Sequence, residues 1–167
     1  KREALLIAAN FWGNHSGMQV PLVSLGEMAR LALAHAGGTI ALVDAADATS
    51  SGASGDSNAI LRKLIESGYT GRTLLPIVDA AAVKIAFTAG IGARIKTTVG
   101  GTRDSGRFKP LSIIATVRLL SDGRFRSESF GEEWLAGPTA VLEADNFTIV
   151  VSSNPVNLYD RSFYFAH

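Results

Sequence analysis

The sequence contains no cysteine. That single absence excludes disulfides, thiolate zinc sites and cysteine nucleophiles together. It fits a reducing compartment, and a cytoplasmic location is the expectation. Charge is scarce and balanced: 16 Lys and Arg stand against 15 Asp and Glu, 19% of residues are charged, and the formal net charge is +1. A nucleic-acid binder would carry a basic surplus, because its affinity comes from neutralising phosphates. No nucleic-acid partner is therefore expected. No apolar run approaches the roughly 18 residues of a membrane-spanning helix, so no membrane partner is expected either.

What is present suits one folded domain. The chain has 167 residues, of which 47% are hydrophobic. A domain of this size hides roughly 70% of the surface its unfolded chain exposes, so a core can form without staples. The sequence opens on Lys1 rather than Met. A piece of something longer is expected, with any targeting signal of the parent outside it.

The first third reads as helical. Leu5, Leu6, Ala8, Ala9 and Trp12 recur three and four apart from Glu3 to Trp12. Gly13 to Gly17 breaks the pattern. Ser24-Leu25-Gly26-Glu27 is a capping box, and Leu25, Met28, Ala29, Ala32 and Leu33 continue as an apolar stripe up to Gly37-Gly38. Thr39 to Val43 is a short apolar run that predicts a buried strand. A loop of Gly, Ser and Ala follows from Asp44 to Gly55, and Asp56 or Ser57 caps a helix through Glu66 with Ile60, Leu61, Leu64 and Ile65 inward.

Thr73 to Val78 is a further strand, placed at an edge or an end by Pro76. Asp79 caps a helix carrying Val83, Ala86 and Phe87 to Gly90. This strand–loop–helix–strand–helix order predicts some parallel pairing. From Ala93 the period becomes two, with Ile95, Thr97 and Val99 opposite Arg94, Lys96 and Thr98. Leu111 to Leu120 predicts a strand with Ile113, Ala115, Val117 and Leu119 on one side. Asp122-Gly123 predicts a hairpin returning from Phe125. Asp145-Asn146 predicts another between Thr139–Leu142 and Phe147–Ser152. The fold class is α/β (α+β): N-terminal helices, the mixed unit, then antiparallel hairpins. The change of pattern near residue 93 is not a domain boundary, since neither half could bury much alone.

The segment Asp44 to Asn58 is the strongest candidate for chemistry. Ligands of open α/β sheets bind outside the C-terminal ends of strands, and small residues let backbone approach a ligand. One reading makes Asp47, Ser54, Asp56 and Ser57 polar contacts to a substrate. The other makes the segment a flexible connection whose Asp and Ser cap a helix. It lacks the Gly-Lys-Ser/Thr ending of a phosphate-binding loop and the Gly-x-Gly-x-x-Gly of a dinucleotide site.

Metal binding finds little support. The three histidines, His15, His35 and His167, belong to no His-Glu-x-x-His motif. His35 suits the end of a helix, where a cation complements the dipole. His15, in a Gly-flanked break, could face a site. Ser54 lacks the flanks of a nucleophile elbow. Glu132-Glu133 reads as a solvated loop. Arg103, Arg107 and Lys109 form either a basic rim for an acidic ligand or a solvated tip.

Thr49 to Asn58, Ser-Ser-Gly-Ala-Ser-Gly-Asp-Ser at its centre, resembles the Gly-rich segment of the microcystinase C (MlrC-like) metallopeptidases, in their C-terminal domain. Ser54 stands where that family has Pro. Phe87 to Ala93, Leu120 to Phe125 and Gly137 to Leu142 resemble a helix end, a hairpin and a strand of the same family. Ser24 to Ala29 resembles its link into the domain. The matches follow one order and span Arg2 to Arg161.

The resemblance implies a helical link over 1–36 and an MlrC-like C-terminal domain over 37–167, stopping before a further apolar strand of the family. It implies a zinc-dependent parent acting on small or linearised peptides, with metal-activated water as the attacking group. The ligands would lie in an N-terminal metal-binding domain, which would be this domain's partner. This chain would hold no metal and no catalytic residue. Its Gly-rich loop would complete the substrate cleft, with Asp47, Gly52, Ser54, Gly55, Asp56 and Ser57 as the substrate-binding set. Backbone N–H groups from Gly52 to Asp56 would meet a substrate carboxylate or carbonyl. The alternative is a non-catalytic anion-binding or protein-interaction domain.

Overall fold

The computed structural model describes residues 1–18, 20–156 and 160–167. Its helices are α1 (Arg2–Gly13), α2 (Leu25–Ala34), α3 (Ala59–Glu66), α4 (Ala80–Ala89) and α5 (Arg161–Ala166). Its strands are β1 (Thr73–Val78), β2 (Arg94–Val99), β3 (Leu111–Ser121), β4 (Arg124–Arg126), β5 (Glu133–Leu135), β6 (Thr139–Ala144) and β7 (Phe147–Ser152). Five strands form one open sheet in the order β1-β7-β6-β3-β2, and β4 and β5 form a separate pair.

Side-chain chemistry accounts for the order. β6 and β7 are buried along nearly their whole length, which demands runs such as Ala140-Val141-Leu142 and Ile149-Val150-Val151. They meet in a hairpin whose Asp145 takes φ of 52°, a conformation its short side chain tolerates. β1 runs parallel to β7, as the alternation of strands and helices requires. It lies at the edge, where the missing N–H of Pro76 costs no ladder bond. β2, at the other edge, shows clean alternation, with Ile95, Thr97 and Val99 buried.

One face of the sheet carries the main core. Met28, Ala29 and Ala32 of α2, Leu61 and Leu64 of α3, and Val83 and Ala86 of α4 pack there against Ile77, Val117, Leu142 and Ile149. Ile65, read as inward, stays 44% exposed at the margin, and Phe87 of α4 stays 43% exposed. The other face has a smaller core of Phe125, Val141, Val150 and Phe163, closed by α5 and the β4–β5 pair.

Three expectations fail. Thr39 to Val43 is no strand: Leu42 touches the main core, but Val43 is 84% exposed. An apolar run becomes a strand only where it pairs with another, and among the described residues Thr39 to Val43 pairs with none. Asp122-Gly123 does turn the chain, but β4 pairs with β5 instead of returning along β3. The register of β3 slips between Val117 and Leu119, so Leu119 leaves the side of Ile113 and Val117 and joins the smaller core.

The helix α1 forms as its periodicity predicts, yet none of its residues is buried. Leu5, Leu6, Ile7, Phe11 and Trp12 all lie more than 60% exposed.

Candidate functional site

The Gly-rich loop lies over the C-terminal ends of the parallel pair β1 and β7. The Val78 amide, at the end of β1, donates to the Gly55 carbonyl at 2.8 Å. The Thr49 hydroxyl donates to the Val156 carbonyl, just past β7. The approach at Gly55 needs glycine. Its φ is 74°, and a Cβ would stand 2.6 Å from side-chain carbons of both Thr49 and Val78.

Two buried carboxylates fix the loop. Asp47 Oδ1 accepts from the Gly55 amide at 2.9 Å, and Oδ2 accepts from the Ser57 amide at 2.7 Å. Asp56 reaches further. Its Oδ2 accepts from the amides of Arg103 at 2.6 Å and Asp104 at 3.0 Å, forty-seven and forty-eight residues on. The Ser54 hydroxyl lies 2.5 Å from Asp56 Oδ1 and 3.2 Å from Asp47 Oδ1, and its single proton serves one at a time. Burial pushes the Asp56 carboxyl upward. The Ser54 hydroxyl and the amides of Asp104 and Arg103 outweigh this and hold it below its ordinary value of 3.8. Asp56 thus does not cap α3, as one reading of the sequence had it. The Ser57 hydroxyl instead accepts from the Ala59 amide at 3.3 Å.

Two more residues complete the cross-tie, and sequence reasoning missed both roles. Asn58 is buried and donates from Nδ2 to the carbonyls of Val99 and Lys109, each at 2.8 Å. Asp79 caps α4 through Oδ1, as expected, but its Oδ2 also accepts from the Gly100 amide at 3.0 Å. Asp79 follows β1 and Gly100 follows β2, so one carboxylate ties the ends of the two edge strands. The signal for Asn58 was its position beside a helix start, which reads equally as a cap. Its long-range partners have no local signature.

The arrangement leaves few of the expected backbone donors open. The Gly52 amide donates to Thr49, the Ala53 amide to Ala48 and the Gly55 amide to Asp47. The Ser54 amide has no partner among the described residues. Ser54 is half-buried and Gly52 exposed, whereas Asp47 and Asp56 turn inward.

The other candidates lie apart. The His15 ring stacks on Trp12 at 4.6 Å, with Nδ1 2.5 Å from the Trp12 carbonyl oxygen, and both residues are exposed. His35 follows α2 at the surface. His167 lies against Phe125 and Phe163 in the smaller core, where burial lowers its pKa. Glu132 and Glu133 are exposed, and Glu133 pairs with Arg124. Among the described residues no three His, Asp or Glu side chains converge as metal ligands. Asp47 and Asp56 spend their oxygens holding the loop, and no third ligand residue joins them among the described residues, so these donors do not make up a zinc site.

An α/β domain with an aspartate-locked, Gly-rich loop at the ends of a parallel strand pair is the class this geometry defines. The chain belongs to the family described as MlrC C-terminus, which matches residues 42–167. It is 32% identical over 96 residues to Microcystinase C of Sphingomonas sp, which covers 58% of this chain and 18% of that protein. It superimposes with a TM-score of 0.80, at 30% identity, on the crystal structure of "Putative metallopeptidase" from Mesorhizobium sp. BNC1. That match covers 93% of this chain and 32% of the other. The chain thus spans about a third or less of these relatives. No helix of the described residues is long and apolar enough to cross a membrane.

Proposed function

We propose that this chain is the domain that completes the substrate cleft of a zinc-dependent hydrolase acting on small or linearised peptides. The carrying observation is the locked loop: Asp47 and Asp56 hold a Gly-rich rim rigidly over the ends of β1 and β7. A rim fixed before ligand arrives loses little entropy on binding. Ser54, with its open amide, and Gly52 are the contacts it offers; Asp47, Gly55, Asp56 and Ser57 hold those contacts in place. The chemistry of bond cleavage, and the zinc that would support it, belong to the part of the parent outside this chain. Residues 1–36 serve as the link into the domain, and the cysteine-free composition suits the cytoplasm.

A protein-interaction role has its own support. The bare apolar surface of α1 needs a cover, and an N-terminal domain of the same enzyme would supply one. The two readings overlap, since a domain that completes a cleft is also an interface.

The test is Asp56→Asn in the full-length parent. Asn keeps an acceptor for the Arg103 and Asp104 amides and can turn its NH2 to the Ser54 hydroxyl. The expected result is a KM for short linear peptides raised several-fold, with zinc content unchanged. Wild-type KM would sink the cleft reading, and loss of zinc would move the metal into this domain.

A further inference from the structure

A concave site lies beside the Gly-rich loop. It is a cavity of about 340 Å³ between the start of α2, the outer face of α3 and the turn around Phe108. Arg62, Lys63, Arg107 and Lys109 all line it, against a single acidic residue, Glu66. In a chain whose overall charge is +1, this is a local concentration of one sign.

The cations differ in how far they are already neutralised. Lys63 faces Glu66 at 3.9 Å, and Arg107 faces Asp104 at 3.6 Å. Arg62 and Lys109 have no carboxylate partner among the described residues. Arg62 donates to the carbonyls of Lys109 at 2.9 Å and Pro110 at 3.3 Å. Lys109 Nζ donates to the Ser105 carbonyl at 2.8 Å. Carbonyl oxygens hold these side chains in place without cancelling their charge. Their remaining N–H groups are free to meet an anion, and little rotamer freedom is left to lose.

The walls between the cations are apolar. Leu25 lies 44% exposed on one side. Phe108 lies on the other, with the Arg107 guanidinium 5.1 Å above its ring. A small inorganic anion would use the cations and leave these walls wet. We infer that the cavity takes an organic carboxylate with an apolar body, such as the C-terminal end of a peptide with a hydrophobic last residue. The carboxylate sits between Arg62 and Lys109, and the hydrophobic side chain lies against Leu25 and Phe108. The inference rests on charge and shape and holds whether or not the domain completes a hydrolase cleft.

Binding is read by calorimetry on the full-length protein, with N-acetyl-phenylalanine, its C-terminal amide and inorganic phosphate as probes. The carboxylate binds. The amide binds about tenfold more weakly, the effect of one lost charge-assisted hydrogen bond. Phosphate binds more weakly than the carboxylate. Arg62→Gln/Lys109→Gln lowers carboxylate affinity about tenfold, while Lys96→Gln, on the exposed face of β2, leaves it unchanged. Lys109→Gln alone, at an exposed side chain, gives the same answer in smaller measure if the double variant fails to fold. Raising salt weakens binding, because the cations reach solvent. Equal affinity for acid and amide, phosphate binding as tight as the carboxylate, or wild-type affinity in Lys109→Gln would each overturn the assignment. None of these readouts depends on turnover, so their failure is distinct from failure of the cleft reading.

Discussion

Asp56 and Asp160 are both fully buried, and both carboxylates gather amides and hydroxyls. In each, burial pushes the carboxyl up and the donors more than compensate, so both are held below the ordinary value. Their surroundings differ. Asp160 caps α5 through the Ser162 amide, accepts from the Ser127 hydroxyl, and so seals the smaller aromatic core. Arg161 and Glu128 clasp the outside of the same junction. Asp56 seals nothing apolar. It joins two polar loops at the ends of the edge strands, next to the half-buried Ser54 and near the basic cavity. The same chemistry closes a core in one place and stiffens a rim in the other.

The largest effect that would separate them is Asp56→Ala. It leaves the amides of Arg103 and Asp104 and the Ser54 hydroxyl without their acceptor, and a loss of about 2 kcal/mol in denaturant unfolding is expected. Asp160→Ala also lowers the melting temperature, but in the full-length parent at a permissive temperature it leaves KM unchanged. A matching rise in KM for both would erase the distinction. Gly55→Ala comes next, at about 2 kcal/mol. It combines a close contact with Thr49 and Val78 and a left-handed backbone that alanine resists. Wild-type stability there would mean that the loop does not rest on β1.

Acid unfolding probes both aspartates. The folded values lie below 3.8, so the unfolded chain binds more protons as the pH falls. The stabilisation is complete above about 3.8 and is lost as the pH drops through that value toward the folded ones. Asp56→Asn and Asp160→Asn each flatten the acid limb; an unchanged limb in either would contradict its buried hydrogen bonding. The smallest effect concerns α1. Leu6→Gln and Phe11→Gln change the stability of this domain by no more than about 0.5 kcal/mol, since neither side chain is buried here. A larger loss in the isolated chain would show that α1 packs on it.

Much of the fold was readable because it is local. The Ser24 and Asp79 caps, the alternation of β2 and the Asp145-Asn146 hairpin each need only near neighbours, and all formed where expected. What failed depended on distant partners. Thr39 to Val43 found no edge, β4 found β5 rather than β3, and the slip at Arg118 moved Leu119 to the other face. The Gly-rich loop was conspicuous by its small residues. That its carboxylates point inward, that Asn58 ties it to Val99, and that Asp79 ties the end of β1 to Gly100, follow from sheet geometry that no local pattern encodes.

The central claim is that this domain shapes a site whose metal belongs to the rest of the parent. Elemental analysis of the purified 167-residue chain beside the full-length protein tests it most directly. The account predicts about one or more zinc ions per full-length molecule, as metal-site chemistry requires, and none in the domain. Stoichiometric zinc retained by the domain alone would contradict it.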